Sequence, residues 1–193
     1  RNKIPLPSPG VGGYCLTKDP ILFSSNSKGL RPDAVLGLSS RKINERAALY
    51  PVKVIKKFVE STKINLNEVK VLILGIAFKG LPETIDLRGS VAIDVLNALK
   101  GRVSKISGWD AIVQSEDIVK AGFDKVDDLN EAITQSDVVL ILNNHPANVN
   151  PNLYNATNQN KKRLIFDGWH QLDKVEVEKS NGLTYSTMGY ISQ

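Results

Sequence analysis

The chain has 193 residues, of which 41% are hydrophobic and 23% charged, so its composition is that of a globular protein. Its single cysteine excludes an internal disulfide framework, its two histidines without clustered metal-type ligands argue against a zinc site, and no apolar run approaches the ~20 residues that a membrane span needs. The net charge of +5 comes from scattered Lys and Arg, which disfavours nucleic acid as a partner and suits an anionic small ligand.

The amino end, residues 1 to about 30, is rich in Pro, Gly and Ser and has little periodicity, so we expect a loop. Pro5, Pro7 and Pro9 stand at alternate positions, and each disfavours helix in the residue before it. Nothing here has the pattern of a secretion signal, so we expect a cytoplasmic protein. A folded domain rarely begins with an extended proline-rich stretch, and we therefore expect the chain to be part of a larger protein.

A long helix is predicted next, beginning near Pro32–Asp33 and running to Glu60, with a kink at Pro51. One apolar face follows helical spacing through Ile43, Ala47, Tyr50, Val54, Ile55 and Phe58. Such a helix is long for a domain of this size. It should bridge two domains or form a subunit interface, and we expect a homodimer through this central helix.

From residue 69 the pattern changes to alternating strands and helices. Continuous apolar runs, typical of strands buried on both faces, occur at 71–75, 138–142 and 164–167. Further strands are predicted at 103–109, 125–126 and 183–187, and helices at 91–99 after a Ser90 cap, at 113–121, and through Leu129 and Ile133. This alternation with short connections predicts an α/β fold with a doubly wound, Rossmann-like parallel sheet.

Sheets of this kind bind ligands beyond the carboxyl ends of their strands. A dinucleotide would need G-x-G-x-x-G after the first strand, but Gly75 stands alone until Gly80, so this domain should bind dinucleotides poorly. Phe78 followed by Lys79 suits a nucleotide differently, through an apolar contact and a cation near phosphate. A solvated Lys79 on an ordinary loop fits the same residues, and the sequence leaves both interpretations open.

The string PGVGGYCLTKDP (Pro9–Pro20) has three glycines in four positions directly before the cysteine. Glycines let a backbone approach a ligand and adopt positive φ. If a helix starts near Cys15, its dipole and Lys18 would favour the nucleophilic thiolate, and Asp19 would lie on the same face, placed to hold a water. A plain glycine turn before a helix with a packed cysteine fits the spacing as well.

This string closely resembles the catalytic-cysteine loop of the UDP-glucose/GDP-mannose dehydrogenase family. Further similar segments follow in the family's order and extend the resemblance over essentially the whole chain: SRKINE (40–45), LGIAFKGLPETIDLRGS (74–90), SGWD (107–110), SDVVLILNNH (136–145) and IFDG (165–168). The cysteine loop and AFKGLPETIDLRGS are its most specific parts.

The resemblance implies an enzyme that oxidises the C6 alcohol of a nucleotide sugar to a carboxylate, using NAD twice. Cys15 is implied as the nucleophile that carries first a thiohemiacetal and then a thioester, and Asp19 as the carboxylate beside the hydrolytic water. The implied substrate contacts are Gly12, Gly13, Tyr14, Lys18, Phe78, Lys79, Arg88 and Arg1, the last being similar in position to an arginine that family dimers lend to the neighbouring site.

Some positions depart from the family's pattern. Trp169 follows Gly168 where members often have Arg, which puts one phosphate or sugar contact in doubt. Val11 and Pro20 are similar to members that act on UDP-N-acetylhexosamines, whereas Lys18 is similar to those that act on UDP-glucose. We expect a UDP-N-acetylmannosamine type of substrate, with UDP-glucose as the alternative.

The expected organisation is a partial central helical domain with the cysteine loop at 1–62 and a UDP-sugar-binding domain at 63–193. The family's NAD-binding domain has no counterpart in these residues, so the chain alone should be inactive, with NAD bound mainly elsewhere and no metal. The competing interpretation is a stand-alone module that binds a nucleotide sugar or mediates dimerisation without chemistry. A flavodoxin-like signalling domain is disfavoured because no acidic phosphorylation cluster is evident.

Overall fold

The computed structural model of the chain describes residues 6–26, 35–155 and 162–192. Its first part consists of three helices that pack in series, α1 against α2 and α2 against α3. They are α1 (Tyr14–Asn26), α2 (Val35–Ala48) and α3 (Tyr50–Thr62). No helix among the described residues is long and apolar enough to cross a membrane.

The predicted long helix is two helices. α2 ends at Ala48, Leu49 leaves helical geometry with φ −91° and ψ 3°, and Pro51 lies in the first turn of α3. Proline is tolerated there because its missing N–H would have no helical partner, whereas within a continuous helix its ring would clash with the preceding turn. The interruption therefore occurs next to the proline where the sequence predicts a kink, although helical geometry is lost two residues earlier, at Leu49. The predicted start at residues 32–33 lies outside the described residues.

The remainder of the chain forms one six-stranded sheet. Its strands are β1 (Lys70–Leu74), β2 (Lys105–Trp109), β3 (Val138–Ile141), β4 (Arg163–Asp167), β5 (Leu183–Thr187) and β6 (Tyr190–Ile191). Their order is β2-β1-β3-β4-β5-β6, and only β6 runs antiparallel to its neighbour. The connecting helices are α4 (Val91–Leu99), α5 (Ser115–Lys120), α6 (Leu129–Gln135) and α7 (Lys174–Glu178), with 3₁₀ turns at Leu66–Glu68, Pro146–Asn148 and Pro151–Tyr154. The predicted doubly wound parallel sheet is confirmed.

Helices cover both faces of the sheet, which is why its central strands read as unbroken apolar runs. On one face α3 and α4 pack against alternate residues of β1, β3 and β4, such as Ile73, Leu140 and Phe166. On the other, α6, α7 and the turn at Pro151–Tyr154 pack against the intervening residues. Val54, Ile55 and Phe58 of α3 are buried in the first of these cores. The apolar face of this half of the predicted helix is therefore covered by the chain's own sheet.

Several details of the sequence prediction were wrong. The loop expected over residues 1 to about 30 contains helix α1 at Tyr14–Asn26, which has no apolar face to detect because it includes Pro20 and buries none of its residues. The short strand at 125–126 is absent, and a single parallel bridge joins Ser107 to Asp124 instead. α7 and β6 were not predicted. α7 has five residues with alternating Val and charge, a pattern of period two, and Asp173 caps it by accepting from the amides of Val175 and Glu176.

Candidate functional site

The site lies where the sheet order reverses, between β1 and β3. From β1 the chain continues outward to β2 on one side, while β3 leads to the strands on the other side. The carboxyl ends of β1 and β3 meet at this point, which is the usual ligand position in an open α/β sheet and is called the crevice below. The segment after β1, residues 75–90, contains the predicted Phe78, Lys79 and Arg88, and is called the 75–90 segment below.

A buried carboxylate fixes the start of the 75–90 segment. Asp110, directly after β2, accepts hydrogen bonds at Oδ2 from the amides of Ile76 (2.7 Å) and Ala77 (3.0 Å). Its Oδ1 accepts from the amides of Ile112 and Val113. The side-chain amide of Asn143, after β3, also donates to Asp110 Oδ2 at 3.2 Å. Loops from three strands are thus joined at one carboxylate immediately before Phe78.

The middle of the 75–90 segment is held by the loop that follows β3. Asn144 Oδ1 accepts from the amides of Gly80 at 2.8 Å and Leu81 at 3.0 Å. A Cβ at Gly80 would overlap the backbone nitrogen of His145, so this glycine is required by packing between the two loops. Ser90 ends the segment by donating to the Ile76 carbonyl at 2.6 Å while it caps α4. The predicted Ser90 cap is confirmed.

The glycines before the cysteine dock onto the 75–90 segment. We call residues 9–15 the cysteine loop. A Cβ at Gly12 would overlap the carbonyl oxygen of Gly89, and one at Gly13 would lie 2.9 Å from the ring of Phe78. Gly13 also has φ +93° and donates from its amide to the Arg88 carbonyl at 3.2 Å. The loop can approach this closely only because both residues lack side chains.

Further contacts seat the beginning of the cysteine loop over the sheet. A Cβ at Gly168, after β4, would lie 2.6 Å from Pro9 Cγ, and one at Gly10 would lie 3.1 Å from Val91 at the start of α4. Trp169 donates through its indole N–H to the Leu142 carbonyl at 3.0 Å. The tryptophan that stands where the family often has Arg therefore ties the turn after β4 to the end of β3.

Cys15 lies at the start of α1 and is exposed, so the helix considered near this cysteine is present and the cysteine is not packed in the core. Thr17 secures this helix start by donating its hydroxyl to the Gly13 carbonyl at 2.9 Å. Lys18 and Asp19 form an exposed ion pair of 2.7 Å one turn further on. The hydrogen bond to Asp19 raises the pKa of Lys18.

Arg88 approaches the cysteine loop from the other side. Asp86 accepts a two-point contact from its guanidinium, with Nε to Oδ1 at 2.9 Å and Nη2 to Oδ2 at 2.7 Å. This hydrogen bonding lowers the pKa of Asp86 to about 2 and raises that of Arg88, with a minor contribution from Cys15. The guanidinium carbon lies 4.6 Å from the centroid of the Tyr14 ring, and Lys18 Nζ lies 5.0 Å from it. Tyr14 therefore contacts two cations next to the thiol.

The structure thus brings together most of the residues predicted for the site: Gly12, Gly13, Tyr14, Cys15, Lys18, Asp19, Phe78, Lys79 and Arg88. Lys79 Nζ lies 5.3 Å from the centroid of the Phe78 ring, so it is a cation at the same crevice. Arg1 lies outside the described residues. Among the residues that the structure describes, no three His, Cys, Asp or Glu side chains are grouped as metal ligands.

Sequence reasoning missed the polar residues that hold the site in place. Asp110, Asn143, Asn144 and Asn44 all lie in segments that resemble the family, but the resemblance implied no role for these four residues. For Asp110, Asn143 and Asn144 the available signal was their position, because a polar side chain soon after a buried strand can bind neighbouring loops at the same edge of the sheet, although the sequence does not show which backbone groups it contacts. Asn44 lies within α2 and offers no such signal.

A model described as the UDP-binding domain of the UDP-glucose/GDP-mannose dehydrogenase family matches residues 72–174, more than half of the chain. The chain belongs to this family. Its match covers β1, the 75–90 segment, β3 and β4, and so includes the walls of the crevice.

Curated relatives and a solved structure agree with the family assignment. The chain is 30% identical over 168 residues to UDP-N-acetyl-D-mannosamine dehydrogenase of Pyrococcus horikoshii, covering 87% of the chain and 37% of that protein. It is 28% identical to the enzyme of that name from Methanocaldococcus jannaschii, covering 96% of the chain and 40% of the relative. The structure titled as the UDP-D-ManNAc dehydrogenase of P. horikoshii superposes with a TM-score of 0.73 at 26% identity, covering 98% of the chain and 41% of that protein. The chain spans about two fifths of these relatives.

The turn after β1 does not fit the pyrophosphate of an NAD molecule. Between Gly75 and Gly80 there is no further glycine, Gly75 packs on Asn143, and Gly80 packs on His145. The backbone after β1 is therefore occupied by contacts with the loop after β3, where a dinucleotide fold would leave a glycine-rich turn open to pyrophosphate. An aromatic ring and a lysine, Phe78 and Lys79, stand here instead.

Proposed function

We propose that the chain forms the nucleotide-sugar half-site of an NAD-dependent nucleotide-sugar 6-dehydrogenase, and that Cys15 is its covalent nucleophile. One observation carries this proposal: the cysteine loop docks on the 75–90 segment of the UDP-binding domain through Gly12 and Gly13, which brings the only thiol beside the crevice. The uridine diphosphate lies in the crevice, and the sugar extends from it toward Cys15.

The substrate that we propose is UDP-N-acetylmannosamine, oxidised at its C6 alcohol to the uronic acid, with UDP-glucose as the alternative. The names of the relatives from P. horikoshii and M. jannaschii support the first. The crevice offers cations for a diphosphate in Lys79 and Arg88, and an aromatic surface in Phe78. Glycines at 12 and 13 let the cysteine loop approach Gly89 and Phe78 closely, which brings Cys15 to the crevice.

Two steps fall to residues of this chain. In the first, the Cys15 thiolate adds to the carbonyl carbon of the C6 aldehyde, and the carbonyl oxygen takes up a proton to give a thiohemiacetal. In the last, water adds to the thioester carbonyl, the carbon–sulfur bond breaks, and Cys15 leaves as thiolate. Asp19, four residues on along α1, accepts the proton of this water. Two oxidations need NAD, one that forms the aldehyde from the C6 alcohol before these steps and one that converts the thiohemiacetal to the thioester between them, and we assign NAD to residues other than those described.

The positive surroundings of Cys15 support its role as a nucleophile. Lys18 lies one turn along α1, Arg88 approaches across the Tyr14 ring, and the amino end of α1 adds its dipole. Each of these places positive charge where it can attract an anionic substrate to the thiol. Cys15 is exposed, so a substrate can reach it.

The alternative is a module that binds the nucleotide sugar and does no chemistry, and the reactivity of the thiol separates the two. Because Cys15 is the only cysteine, the mass of the alkylated chain measures this residue alone. The proposal predicts rapid labelling by iodoacetamide at pH 7 and marked slowing by saturating UDP-N-acetylmannosamine. A slow thiol that ignores the ligand would contradict the catalytic role. Cys15→Ser, which should take up no label, is the control.

A second copy of the chain is the partner that we propose for α1 and α2. These helices expose large apolar side chains, including Leu16, Phe23, Leu36 and Ile43. α3 is excluded from this surface because its own apolar face is buried in the core. Sedimentation should give a dimer mass at micromolar concentration, and Ile43→Lys should reduce it to the monomer mass. A monomer mass for the unmodified chain would contradict the proposal.

A further inference from the structure

The side chain of Asn44 clamps the cysteine loop to α2. Its Oδ1 accepts from the amide of Val11 at 2.8 Å, and its Nδ2 donates to the carbonyl of the same residue at 3.1 Å. One side chain thus satisfies both backbone groups of a residue 33 positions earlier in the chain. Val11 itself is 53% exposed, so its side chain anchors the loop little. The fixed point is the backbone.

The clamp acts where the chain is otherwise least constrained. Gly10 precedes Val11, and Gly12 and Gly13 follow it, so three of four residues have the wide conformational freedom of glycine. The next contacts along the chain are those of Gly12 with Gly89 and of Gly13 with Phe78. Cys15 lies two residues after Gly13. A shift of the Val11 backbone would therefore strain the contacts of Gly12 and Gly13, which place Cys15.

Packing does not replace the clamp. A cavity of about 220 Å³ lies beside it, lined by Val11, Thr17, Asn44, Gly89 and Asp94 among others. Close-packed side chains therefore do not fill the space beside the cysteine loop at Val11. Without the two hydrogen bonds, the loop has space into which it can move.

We propose that Asn44 is a positioning residue for Cys15, which holds the cysteine loop in register against the 75–90 segment. This inference rests on the proposed function of Cys15. The amide is the suitable group because it donates and accepts at once. Aspartate at this position keeps the acceptor for the Val11 amide, but places a negative oxygen against the Val11 carbonyl. Alanine removes both bonds.

The test compares Asn44→Ala, Asn44→Asp and the control Glu45→Gln in the 193-residue chain. Glu45 lines the same cavity and pairs with Arg41 at 3.4 Å, so its change perturbs α2 without touching Val11. Three quantities are measured for each: amide hydrogen exchange of residues 11–13, affinity for UDP, and the UDP-N-acetylmannosamine concentration that halves Cys15 alkylation. Thermal melting confirms that each variant folds.

We expect Asn44→Ala to raise two quantities about tenfold each: the rate of amide hydrogen exchange of residues 11–13, and the UDP-N-acetylmannosamine concentration that halves Cys15 alkylation. A tenfold change corresponds to the loss of roughly one net hydrogen bond. Asn44→Asp, with one bond kept, should lie between Asn44→Ala and the unmodified chain. Affinity for UDP should stay within about twofold, since the UDP-binding crevice is fixed by Asp110 and not by Asn44. A merely structural defect would lower both affinities together.

The outcomes separate this inference from the proposed function. If Cys15 of the unmodified chain is not protected by the UDP-sugar, the proposed function fails and the inference fails with it. If the unmodified chain is protected and Asn44→Ala behaves like Glu45→Gln, the positioning role alone is overturned. Parallel loss of UDP affinity and protection would also overturn it. Asn44→Asp serves for the same decision if the alanine variant melts too early to measure.

Discussion

The guanidinium of Arg88 stacks on the ring of Tyr14, with its central carbon 4.6 Å from the ring centroid. The contact joins the UDP-binding domain to the cysteine loop, because Tyr14 directly precedes Cys15. Asp86 accepts hydrogen bonds from Nε and Nη2 of the same guanidinium. A planar cation held in this way has little freedom left to lose when an anionic ligand arrives.

Asp86→Asn should therefore weaken UDP-sugar binding. Losing the two-point contact frees Arg88 to rotate away from Tyr14, and we expect about a five- to tenfold rise in Kd by titration calorimetry. Asp127→Asn removes a surface ion pair with Lys125 outside the crevice and should leave Kd unchanged. Tighter binding by Asp86→Asn would contradict the account, since it would mean that Asp86 competes with the ligand for Arg88.

The same pair has a defined pH window. Hydrogen bonds from Arg88 lower the pKa of Asp86 to about 2 from its ordinary 3.8, so its stabilising effect is complete above pH 3.8 and is lost as pH falls through 2. UDP-sugar affinity should consequently show no contribution from Asp86 titration between pH 8 and 5. A change in affinity over this range that disappears in Asp86→Asn would contradict the assignment.

Gly12→Ala should displace the cysteine loop. Its Cβ would overlap the Gly89 carbonyl, and we expect a loss of about 1–3 kcal/mol in unfolding free energy with loss of UDP-sugar protection of Cys15. Gly37→Ala is the matched control. Gly37 lies within α2 with its nearest neighbour 3.6 Å from the added Cβ, so the change should stabilise the chain by about 0.5–1 kcal/mol. Urea unfolding measures the change in unfolding free energy of both variants. Equal changes in Gly12→Ala and Gly37→Ala would contradict the docking of the cysteine loop on the 75–90 segment.

Asp110→Asn should uncouple the loops around the crevice. The carboxylate accepts four backbone amides, and an amide group would turn donors toward donors, which should cost about 3 kcal/mol of stability. UDP affinity should fall with it, because Phe78 and Lys79 follow the anchored residues. Asp128→Ala removes a single helix cap on α6, should cost about 1 kcal/mol, and should leave UDP affinity intact. Unchanged UDP affinity in Asp110→Asn would argue that the crevice is not the nucleotide site.

Tyr185→Phe tests the polar contact beneath the turn after β4. Burial, with the charge of Asp167 beside it, raises the pKa of Tyr185, whose hydroxyl donates to Asp167 Oδ2 at 3.1 Å. A raised pKa contributes stability that is complete below pH 10 and is lost as pH rises toward the folded-state value. The variant should be less stable by about 1 kcal/mol at pH 8, and this deficit should shrink above pH 10. Urea unfolding curves that differ by a constant amount from pH 8 to 10.5 would contradict this.

The sheet could be predicted from the sequence because its central strands are buried on both faces. β1, β3 and β4 therefore appear as unbroken apolar runs, which few other structures produce. Short elements were lost for the opposite reason. α7 has one buried residue, Val177, and is fixed by the cap at Asp173 rather than by an apolar face, so it has no helical pattern to detect.

The chemical residues of the site could also be predicted, but not what holds them. Cys15, Phe78 and Arg88 lie in strings that resemble a family. Asn44 meets Val11 across 33 residues, and no spacing rule reports which backbone group a distant amide will contact. The same holds for Asp110, whose partners come from a loop that only the folded sheet brings beside it.

The central claim is that this chain holds a nucleotide-sugar half-site independent of NAD, and isothermal titration tests it most directly. The chain would be titrated with UDP, UDP-glucose, UDP-N-acetylmannosamine and NAD. The account predicts binding of the UDP compounds, tightest for UDP-N-acetylmannosamine, and no measurable heat with NAD. Binding of NAD with no heat from any UDP compound would contradict the claim.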